Sequence, residues 1–405
     1  MADLMVDVAI VGGGLVGVSL AVALANTQLQ FALIEAATPP VSAPAWDERC
    51  IALNDGSRRI FTEMGVWDDL APQAEPIRAT HISERGRFGV ARFTADEVQL
   101  DALGHNTPLR AVGHALMAAA QSRLQAHLQV LCPARVTALA LEPHRARLTL
   151  ADGRSVVARL VVAADGASSS LRSLLGFQAE IRDYRQSALV TAMRVQRDPA
   201  GVAYERFTPE GPFAVLPKPR LANDREPGYP CSLIWTLPTE RAEAMQALPP
   251  EAFIVAAQTT FGERLGRFLS VGQRVRYPLQ RTVGETLIAP RVVFCGNAAQ
   301  SLHPVAAQGF NLGLRDVAAL AARLRTAAGQ HADPGSDVLL ADYVAAREQD
   351  RHRTADFTDQ LVRLFSNRLP LVSGVRHLGL LALDLVPPAK GAVLRQNLGH
   401  QGLVA

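Results

Sequence analysis

Three glycines near the amino terminus carry the first chemistry the sequence allows. Gly12-x-Gly14-x-x-Gly17 follows an apolar run, Val6 to Val11, and opens a stretch rich in small residues, Leu15 to Ala25. In such a setting the first glycine permits a tight turn, the second lets a diphosphate approach the backbone, and the third lets the helix pack closely. The free amides and dipole of the helix start attract the anion. A second apolar run, Phe31 to Glu35, ends in an acid about 20 residues downstream, the spacing of a carboxylate that accepts hydrogen bonds from adenosine ribose hydroxyls. These residues point to a dinucleotide site, and the fingerprint alone does not separate NAD from FAD.

Two distant motifs bear on that choice. Asp165-Gly166-Ala167-Ser168-Ser169-Ser170-Leu171-Arg172 follows the apolar run Leu160 to Ala164. Gly296-Asn297-Ala298-Ala299-Gln300 follows Arg291 to Cys295 and continues through Pro304 and Gln308-Gly309-Phe310-Asn311-Leu312-Gly313 to Asp316. Each leads from a strand toward a helix, where open α/β sheets collect ligands. Read without a ligand, Asp165-Gly166 is an Asx turn and Asn311 a helix cap.

In this order the three motifs resemble those of the class A flavoprotein aromatic hydroxylases and, among them, the ubiquinone-biosynthesis hydroxylases, over essentially the whole chain. The resemblance implies FAD as cofactor, NAD(P)H as co-substrate, and O2 as the source of a hydroxyl group placed on a phenol. It implies that Gly12, Gly14, Gly17 and Glu35 hold the ADP half of FAD. Asp165 and Gly166 would touch FAD and the region where the pyridine nucleotide docks. Gly296 and Asn297 would contact the ribityl-diphosphate, and the backbone of Gly309, Phe310 and Asn311 would lie beside the isoalloxazine pyrimidine ring. Arg49 matches the family's FAD-contacting arginine, although taken alone it reads as a surface charge. By the same resemblance Arg110 would be a further FAD contact, in a segment from Ala102 that departs from the family's apolar pattern.

Other departures concern Asn297, where Asp is usual, and Ala307, where Gly is usual. Asn can still donate and accept hydrogen bonds there. Asn297 with His303-Pro304 resembles the branch that hydroxylates 2-polyprenyl-6-methoxyphenol, which implies a prenylated phenol converted to a 1,4-benzoquinol. The alternatives are a small soluble phenol, or a flavin-binding subunit of a biosynthetic complex that does not turn over. No acid or base stands out; His303 is the candidate, and His105 reads as an exposed loop histidine. Phe213, Pro217, Trp235 and Tyr277 combine aromatic and rigid apolar surface suited to lining a substrate site, although core packing explains each as well.

The elements that must position these residues begin with a βαβ unit, Val6 to Glu35. Helical patterns follow at Asp55 to Met64 and Gly113 to Ala126, with strand alternation at Arg145 to Leu150 and Val156 to Ala164 around Asp152-Gly153. Strand-like runs at Ala188 to Val195, Phe213 to Leu216 and Ser232 to Leu237 suggest a separate antiparallel sheet. The expected class is α/β: a discontinuous FAD-binding Rossmann-like domain (1–80, 100–180, 281–330), an inserted antiparallel-sheet substrate domain (81–99, 181–280) and a helical C-terminal region (331–405). This is a p-hydroxybenzoate-hydroxylase-like plan.

The formal net charge of +3 and 20% charged residues give no nucleic-acid signature. Four scattered cysteines, without a C-x-x-C pair, indicate neither a disulfide framework nor a zinc site, and fit a cytoplasmic setting. The uncharged run Val8 to Ala25 could be mistaken for a membrane span, but Gly12, Gly13 and Gly14 interrupt it and Asp3 and Asp7 precede it. From Leu361 onward five basic residues (Arg363, Arg368, Arg376, Lys390, Arg395) stand among leucines and valines. Such a tail either touches a membrane surface or a lipid-delivering partner, at the inner face of the membrane, or packs on the flavin domain.

Overall fold

A computed structural model describes residues 3–38, 49–124, 126–221, 223–302, 308–366 and 387–400. Its first layer is an eight-stranded sheet around β1 (Leu4–Val11). On one side β1 pairs in parallel with β2 (Phe31–Ile34), and β2 with Leu128–Leu131. On the other side β1 pairs in parallel with Ser155–Ala163, and that strand with Val292–Phe294. These strands read as near-continuous Val, Ile, Leu and Ala because both faces are covered. The hairpin expected at Asp152-Gly153 forms, with Gly153 at φ +84°.

One consequence of this register fixes the site. Val11 stands opposite both Ala163 and Ile34, and Ala163 opposite Phe294. Four strands therefore end in line, and the residues that follow them emerge at one edge. Those residues are Gly12, Glu35, Ala164-Asp165 and Cys295-Gly296. Helix α1 (Leu15–Ala23) starts at that edge, so the run Val8 to Ala25 is strand, turn and a nine-residue helix. Among the described residues no helix is long and apolar enough to cross a membrane.

The second layer is a nine-stranded, mostly antiparallel sheet built on Ala179–Val195, Val202–Phe207, Pro212–Pro217, Tyr229–Pro238 and Val275–Gly284, edged by Ala79–Glu84 and Val90–Thr94. One face is covered by helices Thr239–Ala247 and Pro250–Phe261. Leu189, Met193, Phe213, Val215, Leu233 and Trp235 pack there against Met245, Phe253 and Phe261. Strand alternation sends Val190, Ala214 and Ile234 to the other face.

A small antiparallel sheet of Cys50–Asn54, Gly104–Pro108 and Glu75–Ile77 joins the two layers. Its buried Asn106 donates from Nδ2 to the Pro217 carbonyl at 2.8 Å and to Ser232 Oγ at 3.3 Å. His105, expected in an exposed loop, is a half-buried strand residue here, edge-on to Trp67 with ring centroids 4.8 Å apart. Burial is the first cause that holds its pKa down to about 4, so the imidazole is neutral at pH 7.

Helix Gln308–Gly329 runs against α1, and helix Asp337–Ser366 lies alongside it. Helix Pro387–Leu398 is the last element among the described residues. Leu394 and Leu398 are buried, Lys390 pairs with Glu97, and the Asn54 side chain donates to the Asn397 carbonyl at 3.1 Å. Residues 387–400 thus spend their apolar side on the protein. Arg368 and Arg376 and the side chain of Arg363 lie outside the described residues. The four cysteines are free thiols, and burial pushes Cys231 and Cys295 up to about 12.

Candidate active site

The three motifs meet at the first turn of α1. Gly12 has φ +111°, and a Cβ there would sit 2.3 Å from the Ala164 carbonyl oxygen and 2.8 Å from Asp165 N. A Cβ on Gly17 would lie 2.0 Å from the Gly12 oxygen, and one on Gly296 (φ +59°) would lie 2.8 Å from Val16. Gly313 brings the helix Gln308–Gly329 into the same corner, 3.1 Å from Val16 and 3.3 Å from Gly296 Cα by the same measure. Gly12 and Gly17 let backbone touch backbone, and Gly296 and Gly313 make room for the Val16 side chain between them.

A second set of glycines is different. Beta carbons on Gly14, Gly166 and Gly309 would meet nothing within 4 Å, so the backbone there faces open space. A cleft of about 270 Å³ opens at Gly13, Gly14 and Leu15 and is walled by Arg110, Gly113 and Met117 of helix Leu109–Leu124. Arg110 is exposed beside it.

Glu35 is half-buried. It accepts from Gly13 N at 2.7 Å through Oε2 and from Ala37 N at 2.7 Å through Oε1, which fixes the carboxylate at the rim of the glycine turn. Asp165 is held through one oxygen only: Oδ2 accepts from Ser170 Oγ at 2.9 Å and Leu171 N at 3.1 Å, while the buried Oδ1 has no partner among the described residues. This is not an Asx turn, because the hydroxyl and the amide it holds lie five and six positions on; Ser169 caps the short helix instead, accepting from Arg172 N.

An FAD fits this arrangement on three counts: a glycine turn open where a diphosphate must approach, an acid anchored beside it, and a buried carboxylate oxygen left unpaired. Gly12, Gly14, Gly17, Glu35, Arg110, Asp165, Gly166, Gly296 and the exposed Asn297 share one edge with it. Arg49 is half-buried rather than a surface charge, and its guanidinium lies over the Tyr277 ring, 5.5 Å from the centroid.

Asn311 corrects its sequence reading. The helix begins at Gln308, so Asn311 lies in the first turn rather than capping it. Its buried side chain accepts from Asn54 N at 3.1 Å and Ser57 Oγ at 2.6 Å and donates to the Ala52 carbonyl at 2.9 Å. Those bonds hold the segment Gly309–Asn311 against strand Cys50–Asn54, with Phe310 against Phe61.

The proposed lining separates. Phe213 and Trp235 are 0% and 1% exposed in the helix-covered core, ring centroids 5.1 Å apart, so they do not line a substrate site. Pro217 follows their alternation and is buried. Tyr277 stands opposite Ala188 and Ala188 opposite Thr236, one residue out of step with the Leu189–Trp235 pair. Tyr277 therefore belongs to the other face, toward Arg49. His303 and Ala307 lie outside the described residues.

Several positioning residues escaped the sequence reading. Arg172 Nη1 donates to the Ala298 carbonyl at 2.9 Å and Nη2 to the Ala167 carbonyl at 2.6 Å, tying the second motif to the third. Asp316 Oδ2 accepts from Gly296 N at 3.1 Å and Gln300 Nε2 at 2.9 Å, and Oδ1 accepts from Arg347 Nε at 2.8 Å. Both residues end quoted motifs, and a buried charge closing a glycine-rich motif was the available signal.

Comparison with known proteins agrees with the geometry. A family profile described as FAD binding domain matches residues 5–358. The chain is 37% identical over 399 residues to Ubiquinone hydroxylase UbiL of Rhodospirillum rubrum, spanning 98% of this chain and 90% of that one. It is 31% identical over 402 residues to the 3-demethoxyubiquinol 3-hydroxylase of Escherichia coli, spanning 98% and 100%. The fold matches the crystal structure of p-nitrophenol 4-monooxygenase PnpA from Pseudomonas putida at a TM-score of 0.81 over 100% of both chains, with 16% identity. The chain belongs to the FAD binding domain family and is an FAD-dependent monooxygenase of the aromatic-hydroxylase kind.

Proposed function

We propose that the protein hydroxylates a prenylated phenol of ubiquinone biosynthesis, a 2-polyprenyl-6-methoxyphenol, to the corresponding 1,4-benzoquinol. The observation that carries the reading is the meeting of three flavin motifs at one sheet edge, joined by the small sheet to the face of the nine-stranded sheet opposite its two covering helices. The relatives are named as a ubiquinone hydroxylase and a 3-demethoxyubiquinol 3-hydroxylase, which supports this substrate class. Bound FAD supplies hydride acceptance from NAD(P)H and activation of O2. The protein's own tasks are binding and orientation. The open turn at Gly14 is left to the diphosphate, Glu35, which holds the Gly13 amide, lies toward the ribose hydroxyls, and Asp165 offers an unpaired oxygen. Arg49 and Tyr277 stand where the small sheet faces the substrate side.

The test uses FAD-reconstituted protein, NAD(P)H, a short-chain 2-prenyl-6-methoxyphenol and 18O2. Substrate-stimulated oxidation with one labelled oxygen placed para to the phenol is expected. Stimulation by small phenols but not by the prenylated one would assign a soluble substrate. FAD binding without turnover on any phenol would make the chain a non-catalytic subunit.

We also propose a peripheral membrane contact, at a place the tail does not predict. Phe88 is 99% exposed at the tip of the turn between Ala79–Glu84 and Val90–Thr94, with Arg85 and Arg87 exposed beside it. Arg264, Arg92 and Arg206, after burial, hold the pKa of nearby His81 down, so the base of this hairpin is also positive. An aromatic tip with a basic collar suits an anionic bilayer. Moving Phe88 out of a bilayer forfeits about 1.5–3 kcal/mol, so Phe88→Ser is expected to lower vesicle binding roughly tenfold or more. Equal flotation of F88S and the parent with phosphatidylglycerol-containing vesicles would remove the hairpin from the account.

A further inference from the structure

The face of the nine-stranded sheet opposite its two covering helices carries one in-register row, Val275, Val190, Ile234, Ala214, Glu205 and Ile82, whose Ile82 end packs with Leu394 of helix Pro387–Leu398. Five of the six are apolar. Its neighbours define the face. In the next row Tyr277 meets the Arg49 guanidinium, and in the row beyond Ile234 on the other side Ser232 accepts from Asn106 of the small sheet. The row therefore looks toward the elements that carry Arg49 and lead to Arg110, not toward the helices Thr239–Ala247 and Pro250–Phe261.

We propose that this row is the floor of the substrate site and that the Glu205 carboxylate accepts the phenolic proton of the bound ring. The inference rests on the reading of the chain as a phenol hydroxylase. In the step, the phenol O–H bond breaks, its electron pair stays on oxygen, and the proton passes to the carboxylate, giving a neutral glutamic acid and a phenolate. The phenolate ring is the better nucleophile toward an electrophilic oxygen, and nothing further is consumed.

Three observations support the assignment. Glu205 is half-buried and sits within that row between Ala214 and Ile82. Its same-face neighbours, Ala214, Ile82, Ala203 and Phe207, give it no counter-charge. Burial is the one cause acting on its pKa, which it pushes up to about 7, and a base with a pKa near the working pH is the effective one. The elements packed on this face carry other charged and titratable groups, among them Glu75 and His105 of the small sheet and Arg395 of the C-terminal helix. Glu84 lies two residues beyond Ile82, Tyr277 four strands away, Arg49 over Tyr277, and Lys390 of the C-terminal helix is paired with Glu97. None of them figures in the shift.

The sign follows. The base form exists above the raised pKa, so kcat/KM for a phenol should fall tenfold per unit as pH drops below about 7. Glu205→Gln should lower kcat/KM for 2-methoxyphenol by about 100-fold or more and flatten that limb. Glu205→Asp should keep the limb at reduced rate. A polyfluorinated 2-methoxyphenol with a free para position, assayed above its own pKa, should recover most of the Gln variant's loss, which a merely structural role would not allow. A readout without turnover is the infrared difference spectrum on adding 2-methoxyphenol. A protonated-carboxyl band should appear in the parent and be absent from E205Q. If the parent hydroxylates phenols while E205Q keeps the same pH profile, or if the parent shows no new carboxyl band on binding, Glu205 is not the proton acceptor. A parent that binds FAD yet hydroxylates no phenol overturns the underlying reading, and this proposal with it.

Discussion

Asp316→Ala is expected to destabilise the protein by about 3–5 kcal/mol, the cost of leaving a buried partner charge uncompensated. Asp316 and Arg347 are each 0% exposed. Arg347 also donates to Asp350, which is shared with Arg315, and Gln300 passes the network to Arg351. Burial works against the Arg347 charge, yet Asp316 and then Asp350 more than offset it, and the net shift is upward. Removing Asp316 leaves Asp350 alone to balance Arg315 and Arg347. The change also frees Gly296 N, and losing a hydrogen bond to a charged group, about 1.5–3 kcal/mol, should weaken FAD binding roughly tenfold or more. Denaturant unfolding and flavin titration measure the two effects separately. Asp316→Asn retains an acceptor for Gly296 N and should lose stability with a smaller loss of affinity. In the double variant with Arg347→Met, the combined loss should fall short of the sum by about 1–3 kcal/mol. Additive losses would mean that the pair is not coupled and that the network does not hold the turn.

What the sequence made legible was local. The roles of Gly12, Gly14 and Gly17 follow from spacing within one turn, and Glu35 from the end of the next strand. The chain's own alternation showed that Phe213 and Trp235 belong to strands, but period two cannot say which face a helix will cover, and the helices Thr239–Ala247 and Pro250–Phe261 came down on theirs. Asn311 was read as a local cap, whereas its partners Ala52, Asn54 and Ser57 lie more than 250 positions away. Glu205 looked like one of many charges, and only cross-strand register isolates it in an apolar row. The division into three regions remains our proposal. The short strand Gln300–Ser301, beyond the expected insert, pairs with Val275–Gly284, so the two layers share more chain than composition suggested.

The glycines at positions 12 and 14 should part company when each is replaced by alanine. Gly14 precedes α1 at φ −71° and ψ 179°, which alanine adopts freely, and its Cβ would meet nothing within 4 Å. Losing glycine before a helix costs about 0.5–1 kcal/mol, and lowering the freedom of the unfolded chain returns about 0.4–1 kcal/mol, so Gly14→Ala should leave stability nearly unchanged. The added methyl projects into the open space beside the cleft, so FAD affinity should fall roughly tenfold or more, a loss of about 1.4 kcal/mol or greater. At Gly12 the same methyl meets the Ala164 oxygen at 2.3 Å with the backbone at φ +111°. Strain and overpacking each cost about 1–3 kcal/mol, so Gly12→Ala should lose both stability and flavin. Thermal unfolding of the two apo-proteins, followed by FAD titration, separates these outcomes. If Gly14→Ala unfolded as early as Gly12→Ala, both glycines would serve the backbone alone. If Gly14→Ala bound FAD as tightly as the parent, the diphosphate would not lie over this turn, and the assignment of Glu35 to the ribose would fall with it.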